Sequence, residues 1–407
     1  MAQLLGIRIL NYRSLGEVSI GQTYEDRSAA RLHRMIAVIG PNGAGKSSLM
    51  DVFGFVGDCL RDGVEAACDA PHRGGFERLR TRGAEGPIRL EIYYKENQRS
   101  RPISYTLEVD ADATGLPFVS YERLRQGRKG QKVGKPFSFA EFRRGKGYAW
   151  AGQSTATEEG NEKVEVELED PQRLAIVTLG NLAAHERIVA FREFLEGWYL
   201  SYFVPDLARG LPMSGAQKHL NRRGDNLANY LQYLERQLGP RLNPMLASLS
   251  GKVPGMESVS AERQADGRLL LHFGERGYVD PFYPQDMSDG TLKLLAYLLL
   301  LADPEPAPLV GIEEPENGLH HQLLEGLATE MKRHAEARGG PQVLVTTHST
   351  YFVDALTPEE VWILEKGPDG LSRATRAADL PAVSELASEG IPLGSLWYSD
   401  HFGRIDS

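Results

Sequence analysis

The chain has 407 residues, of which 41% are apolar and 25% charged, and its formal net charge is −9. That composition belongs to an ordinary globular protein of one large domain or two to three smaller ones. The acidic balance excludes indiscriminate binding of polyanions, although the charge is unevenly spread along the chain.

Residues 4–10 read as a strand, and the first residues lack the basic and apolar regions of a secretory signal. Further strands are expected at 18–20 and 35–39. Directly after Met35 to Ile39, the run from Gly40 to Ser47 reads G-x-x-x-x-G-K-S. Between a strand and a helix, that spacing makes a loop whose backbone N–H groups wrap a triphosphate. Asn42, Gly43, Ala44, Gly45 and Ser48 would line it, Lys46 would reach the β- and γ-phosphates, and the Ser47 hydroxyl would ligate Mg2+. Leu49, Val52, Phe53, Val56 and Leu60 follow at helical spacing, so the helix N-terminus aims its partial positive charge at the phosphates. These residues identify a nucleoside triphosphate site. Cys59 and Cys68 are the only cysteines, too few for a zinc site, and reduced thiols in a cytoplasmic protein are expected.

Alternation of apolar and polar residues at 88–94 and 103–109 predicts antiparallel strands joined through 97–102, with a third strand at 119–124. From about 125 to 160 the pattern gives way to Gly, Lys, Arg and Ser, which reads as an exposed loop. Residues 123–147 carry Arg123, Arg125, Arg128, Lys129, Lys132, Lys135, Arg143, Arg144 and Lys146 against Glu141 alone. The sign then reverses in Glu158, Glu159, Glu162, Glu165, Glu167, Glu169 and Asp170. Residues 171–201 and 224–250 read as helical, 269–273 as a strand and 291–301 as a strongly apolar helix. The longest apolar run, 294–302, is about half of what a bilayer crossing needs. Continuous apolar runs at 309–312 and 343–347 predict buried parallel strands, and Leu319, Leu323, Leu327 and Met331 mark a covering helix. Residues 361–364 and 372–375 read as a hairpin.

Three more motifs surround the phosphate loop in chain order. The apolar strand at 309–312 runs into Glu313, Glu314, Pro315 and Glu316, which resembles a Walker B segment. Glu313 would hold Mg2+ through water, and Glu314 would be the general base for the attacking water. Upstream, Ser288, Asp289, Gly290 and Thr291 open the apolar helix and resemble the ABC signature sequence, with Ser288 an N-cap and Gly290 permitting close approach to an anion. Downstream, His348 at the tip of the 343–347 strand matches the switch histidine that contacts the γ-phosphate.

With Asn11 to Leu15, these motifs make the chain similar to the RecF-like, SMC-related ABC-type ATPases, often described as AAA family ATP-binding proteins. The resemblance covers roughly residues 1–110 and 265–365. It implies an α/β P-loop NTPase with an ABC-ATPase head, a mixed and parallel sheet core, an antiparallel β-subdomain and an inserted helical and loop arm. The expected organisation is an N-terminal lobe at 1–110, an insertion at 111–265, a C-terminal lobe at 266–365 and a hairpin and tail at 366–407. It further implies ATP and Mg2+ as ligands, an approach of Arg13 to the nucleotide, and an ATP-bound homodimer in which Ser288 and Gly290 face the other subunit's phosphate loop. Glu313 departs from the family's usual Asp, and His321 from its frequent Pro. No clear Q-loop glutamine stands out; Gln98 is the candidate, and the second Mg2+ ligand is unassigned. No long heptad array is present, which sets the chain apart from the large coiled-coil relatives.

Two uses of such a dimer are open. A clamp on DNA would use the basic run with its interleaved Phe137, Phe139, Phe142, Tyr148 and Trp150 for phosphate contacts and base stacking. An ATP-gated switch would instead dock or restrain a protein effector, such as a toxin or nuclease. Neither use involves a membrane.

Overall fold

The computed structural model describes residues 2–127, 136–151, 162–399 and 401–402. Strands β1 (Gln3–Tyr12) and β2 (Leu15–Gly21) form a hairpin, and β3 (Met35–Ile39) leads into helix α1 (Lys46–Asp62). Next come β4 (Ile88–Lys95), β5 (Ile103–Ala111), β6 (Pro117–Gln126), β7 (Phe137–Arg143), β8 (Lys146–Ala151) and β9 (Glu162–Glu167). Past helix Glu186–Glu196 lie β10 (Tyr199–Ser201), helices Leu227–Leu238 and Asn243–Lys252, and the hairpin of β11 (Met256–Arg263) and β12 (Leu269–Glu275). Helix Asp289–Leu301, β13 (Leu309–Glu313), helix His321–Glu336, β14 (Gln342–Thr347), β15 (Val361–Lys366) and β16 (Ser372–Arg376) complete the framework.

The central sheet runs β10-β13-β14-β3-β15-β16. Its first five strands are parallel, and β16 closes the edge antiparallel to β15. Every residue of β3 and β14 is buried, because helices or the second sheet cover both faces. Ile36, Val38, Leu309 and Leu344 face one apolar core, while Met35, Ala37, Ile39, Val310 and Val343 face the other. The expected α/β head with its parallel core is therefore what the chain forms.

The second sheet is antiparallel throughout, with the order β2-β1-β4-β5-β6-β7-β8-β9. Its apolar face packs on α1 and helix Glu186–Glu196 through residues such as Ile9, Leu90, Tyr105 and Phe139. Here the structure corrects the expected loop at 125–160. β6 continues to Gln126, and β7, β8 and β9 extend the sheet, with Phe139, Phe142 and Ala149 supplying the buried side. Arg144 and Gly145, both at positive φ, turn β7 into β8, as a tight hairpin requires. Arg128, Lys129, Lys132, Lys135, Glu158 and Glu159 lie outside the described residues.

The acidic segment is the strand partner of the basic one. Arg123 stands opposite Glu141, Lys146 pairs with Glu167 at 2.7 Å, and Lys163 pairs with Glu165 at 2.8 Å. A second correction concerns 171–201: after Gly197 ends the helix, Tyr199–Ser201 is not helical but forms the edge strand β10, parallel to β13.

On the apolar side of β6, Glu122 is buried and accepts hydrogen bonds from the Tyr105 hydroxyl (3.1 Å) and the N–H groups of Ala175 (2.6 Å) and Ile176 (3.0 Å). Burial pushes its pKa up to about 7, against the lowering effect of those three donors. The native state therefore binds this proton more tightly than the unfolded chain. Glu122 makes stability fall as pH rises from about 4.5 to about 7, with a limiting slope of about 1.4 kcal/mol per pH unit. Urea unfolding of Glu122→Gln across that window is expected to lose this component of the slope.

Candidate nucleotide-binding site

The register of the central sheet brings the motifs together. β14 pairs with β3 through Thr347 and Ile39, and with β13 through Thr346 and Glu313. Gly40, Glu314 and His348 therefore emerge side by side at the carboxyl ends of adjacent parallel strands, where open α/β sheets bind ligands.

The phosphate loop depends on glycine at specific points. A Cβ at Gly40, where φ is 152°, would lie 2.1 Å from the Leu364 carbonyl oxygen. At Gly45, where φ is 106°, a Cβ would strike the Ser372 and Ser14 hydroxyls at 2.6 and 2.8 Å. Gly45 is also the N-cap of α1 and has no side chain to cap it, so the first-turn N–H groups are left for an anion. Asn42, Gly43 and Ser47 are exposed, Ser48 is half-buried, and Ala44 is buried with its carbonyl accepting from the Ser372 hydroxyl.

Lys46 is buried, its ammonium donating to the carbonyls of Gly40 (2.9 Å) and Pro41 (3.2 Å). It stands 3.8 Å from a Glu314 carboxylate oxygen. Glu314 has φ of 43°, a strained value for a non-glycine residue. Its N–H donates to the Thr346 carbonyl at 2.8 Å, and its carboxylate accepts from the Asn317 amide at 3.1 Å. His348 Nδ1 lies 3.6 Å from Glu314 and 3.0 Å from Glu316.

Other expected residues sit farther out. Ser288 caps helix Asp289–Leu301, accepting from the Thr291 N–H at 3.1 Å. A Cβ on Gly290 would lie 2.5 Å from the Gly318 carbonyl, so this helix start packs on the loop after β13. No hydrogen bond joins Ser288 or Gly290 to the phosphate loop of the same chain among the described residues. Arg13 turns to α1, 3.2 Å from Asp51 and donating to the His72 carbonyl at 3.0 Å. Gln98 is exposed in the β4–β5 turn.

Two parts of this site carry no local sequence signal. Asp51, one turn into α1, is buried and accepts from the Tyr12 hydroxyl at 2.7 Å and Arg73 Nε at 2.9 Å. Burial alone would raise its pKa, but the Arg73 guanidinium together with the Tyr12 hydroxyl and Arg13 holds the carboxyl below its ordinary value. Tyr202 follows β10, whose Ser201 is level with Ile312. Its phenol pKa is raised by burial first, then by the charges of Asp51 and Glu313.

The donor set suits a hard cation. Ser47 offers an exposed hydroxyl, and Glu313 ends β13 half-buried with Asp51 nearby. No group of three or more His, Cys, Asp or Glu poised to hold a metal occurs among the described residues. The hydroxyl and carboxylate oxygens of Ser47 and Glu313 are donors of the kind Mg2+ takes, with waters and substrate phosphates completing its shell. No helix among the described residues is long and apolar enough to cross a membrane.

A family described as "AAA domain, putative AbiEii toxin, Type IV TA system" matches residues 35–354. Among solved structures, the chain is similar to an SmcHead bound to the C-winged helix domain of ScpA, at TM-score 0.57 and 13% identity over 91% of this chain and 97% of that one. It is also similar to the Smc head of Pyrococcus furiosus with an extended coiled coil, bound to the C-terminal domain of ScpA (TM-score 0.53, 14% identity, 96% and 100% covered). A third similar structure is the Smc head of Pyrococcus yayanosii with a coiled coil and joint (TM-score 0.51, 12% identity, 95% and 100% covered). At such identities the likeness is one of fold. No curated protein matches the chain. The match over residues 35–354 shows that the chain belongs to this AAA-domain family, and its fold is that of an SMC head.

Proposed function

We propose that the chain binds and hydrolyses ATP with Mg2+, and that ATP joins two copies into a dimer that gates a protein partner. The observation that carries the reading is the alignment of Gly40, Glu314 and His348 at adjacent strand ends. The N–H groups of residues 42–48 and the Lys46 ammonium would bind the phosphates, with Ser47 and Glu313 holding Mg2+. The ion, when bound, would neutralise charge on the β- and γ-phosphate oxygens. Glu314 would take the proton of the attacking water, and His348 would contact the γ-phosphate. Ser288 and Gly290 would meet the phosphates of the second copy, and among the described residues neither is hydrogen-bonded to the phosphate loop of its own chain. Arg13 would act on the site through Asp51 and α1.

Glu165 and Glu167 share the surface of β8 and β9 with Lys146 and Lys163 and would repel DNA phosphates, which supports a protein partner over DNA. The similar SmcHead structure is bound to a domain of ScpA, and the matched family's description refers to a toxin–antitoxin system. Both accord with a protein effector.

Lys46→Ala is expected to weaken ATP binding by about a hundredfold, roughly 3 kcal/mol for a charged hydrogen-bonding group. Equilibrium binding of a fluorescent ATP analogue measures it, and unchanged affinity would refute the site. Glu314→Gln is expected to accumulate an ATP-dependent dimer in size-exclusion chromatography; rapid turnover by that variant would remove Glu314 as base. The same change frees Lys46 from its contact with Glu314, so ADP affinity is expected to rise up to about fivefold. Duplex DNA is expected not to shift the ATP-bound dimer at low salt. Binding that weakens steeply as salt rises would restore the DNA clamp.

A further inference from the structure

Glu316 belongs to none of the roles above, yet it organises the loop that carries His348. One of its carboxylate oxygens accepts two hydrogen bonds, from the Thr347 hydroxyl at 2.9 Å and the His348 N–H at 2.6 Å, and the His348 ring Nδ1 lies 3.0 Å from the same oxygen. The other oxygen is buried without a hydrogen-bond partner, and the side chain is only 7% exposed. Two donors and a ring nitrogen from β14 and its tip thus converge on one atom supplied by the segment after β13. The backbone delivers it there: Glu314 adopts its left-handed conformation, Pro315 is buried, and the chain turns back so that the Leu319 N–H reaches the Glu316 carbonyl at 3.0 Å.

A neutral imidazole has one donor and one acceptor nitrogen, and the hydrogen bond made by one decides what the other presents. A carboxylate accepts only, so a ring nitrogen 3.0 Å from Glu316 must carry the proton. Such an anionic acceptor holds an N–H more strongly than a neutral one. Glu314 lies farther from the same nitrogen, at 3.6 Å, outside hydrogen-bonding range.

We propose that Glu316 is a positioning residue that fixes the Nδ1–H tautomer and the ring orientation of His348, leaving the Nε2 lone pair to accept a hydrogen bond from the attacking water. The water part rests on the ATPase reading above, whereas the tautomer does not. Glu316 also ties the strand that ends in Glu313 and Glu314 to the strand that ends in His348. The base and the histidine are thereby held as one unit.

The test is a long-range proton–nitrogen NMR spectrum of the nucleotide-free chain labelled at histidine, with His348→Gln to assign the signal. Unaltered protein is expected to show His348 protonated at Nδ1. Glu316→Ala is expected to shift it toward the Nε2–H form, to slow single-turnover hydrolysis at least about tenfold and to leave the ATP Kd within about threefold. Glu316→Gln keeps an acceptor in place and is expected to retain the Nδ1–H form, which guards against a folding defect in the alanine variant. An Nε2–H tautomer in the unaltered chain, or normal hydrolysis with an unchanged tautomer in Glu316→Ala, would overturn the role. Absence of hydrolysis in the unaltered chain, with the tautomer change present, would refute the ATPase reading instead.

Discussion

The site depends on one pairing: β14 lies between β3 and β13, parallel to both. That arrangement unites residues near 40 with residues near 314 and 348, at opposite ends of the chain. Its cost is entropic, since a very long loop must close before any of these contacts forms. The return is two apolar cores, one on each face of a sheet whose central strands are wholly buried. A sheet buried on both sides cannot slip register without exposing its apolar residues, so the strand ends stay level. The level of Glu314 relative to Lys46 follows from core packing rather than from any contact within the site.

Within that frame, the site is held under tension. Glu314 has a left-handed backbone, the Lys46 ammonium folds onto carbonyls of its own loop, and Glu316 is buried with one oxygen unpartnered. Each is a costly arrangement in isolation, and such features gather where a ligand will repair them. Triphosphate oxygens would give Lys46 a better partner than backbone carbonyls. Its withdrawal would release Glu314, so nucleotide entry and the freeing of the base would be one event.

Features set by local spacing were legible in the sequence. The phosphate loop, the Walker B acids, the signature cap at Ser288 and His348 each occupy a few contiguous residues next to an apolar run. The central strands were legible for the same reason. What escaped depends on partners distant in the chain. The polar surface of β6 to β9 reads as a loop because its charged residues meet partners across strands, as Lys146 meets Glu167, and no local spacing announces such a pairing. Tyr199–Ser201 is too short to signal a strand and exists because β13 offers it an edge. Asp51, Arg73 and Glu316 have no local signature. A carboxylate in an amphipathic helix or after a proline looks like surface until its donors are placed around it.

In the proposed dimer one chain would hold only half of each working site. Mixing two inactive variants, Lys46→Ala and Ser288→Arg, and measuring ATP hydrolysis decides whether it does. In a mixed dimer, Lys46 of the second variant meets Ser288 of the first, and one intact composite site forms. Each variant is expected to be inactive alone, and hydrolysis to return on mixing. Activity in Ser288→Arg alone, or no recovery in a mixture shown to contain mixed dimers, would contradict it.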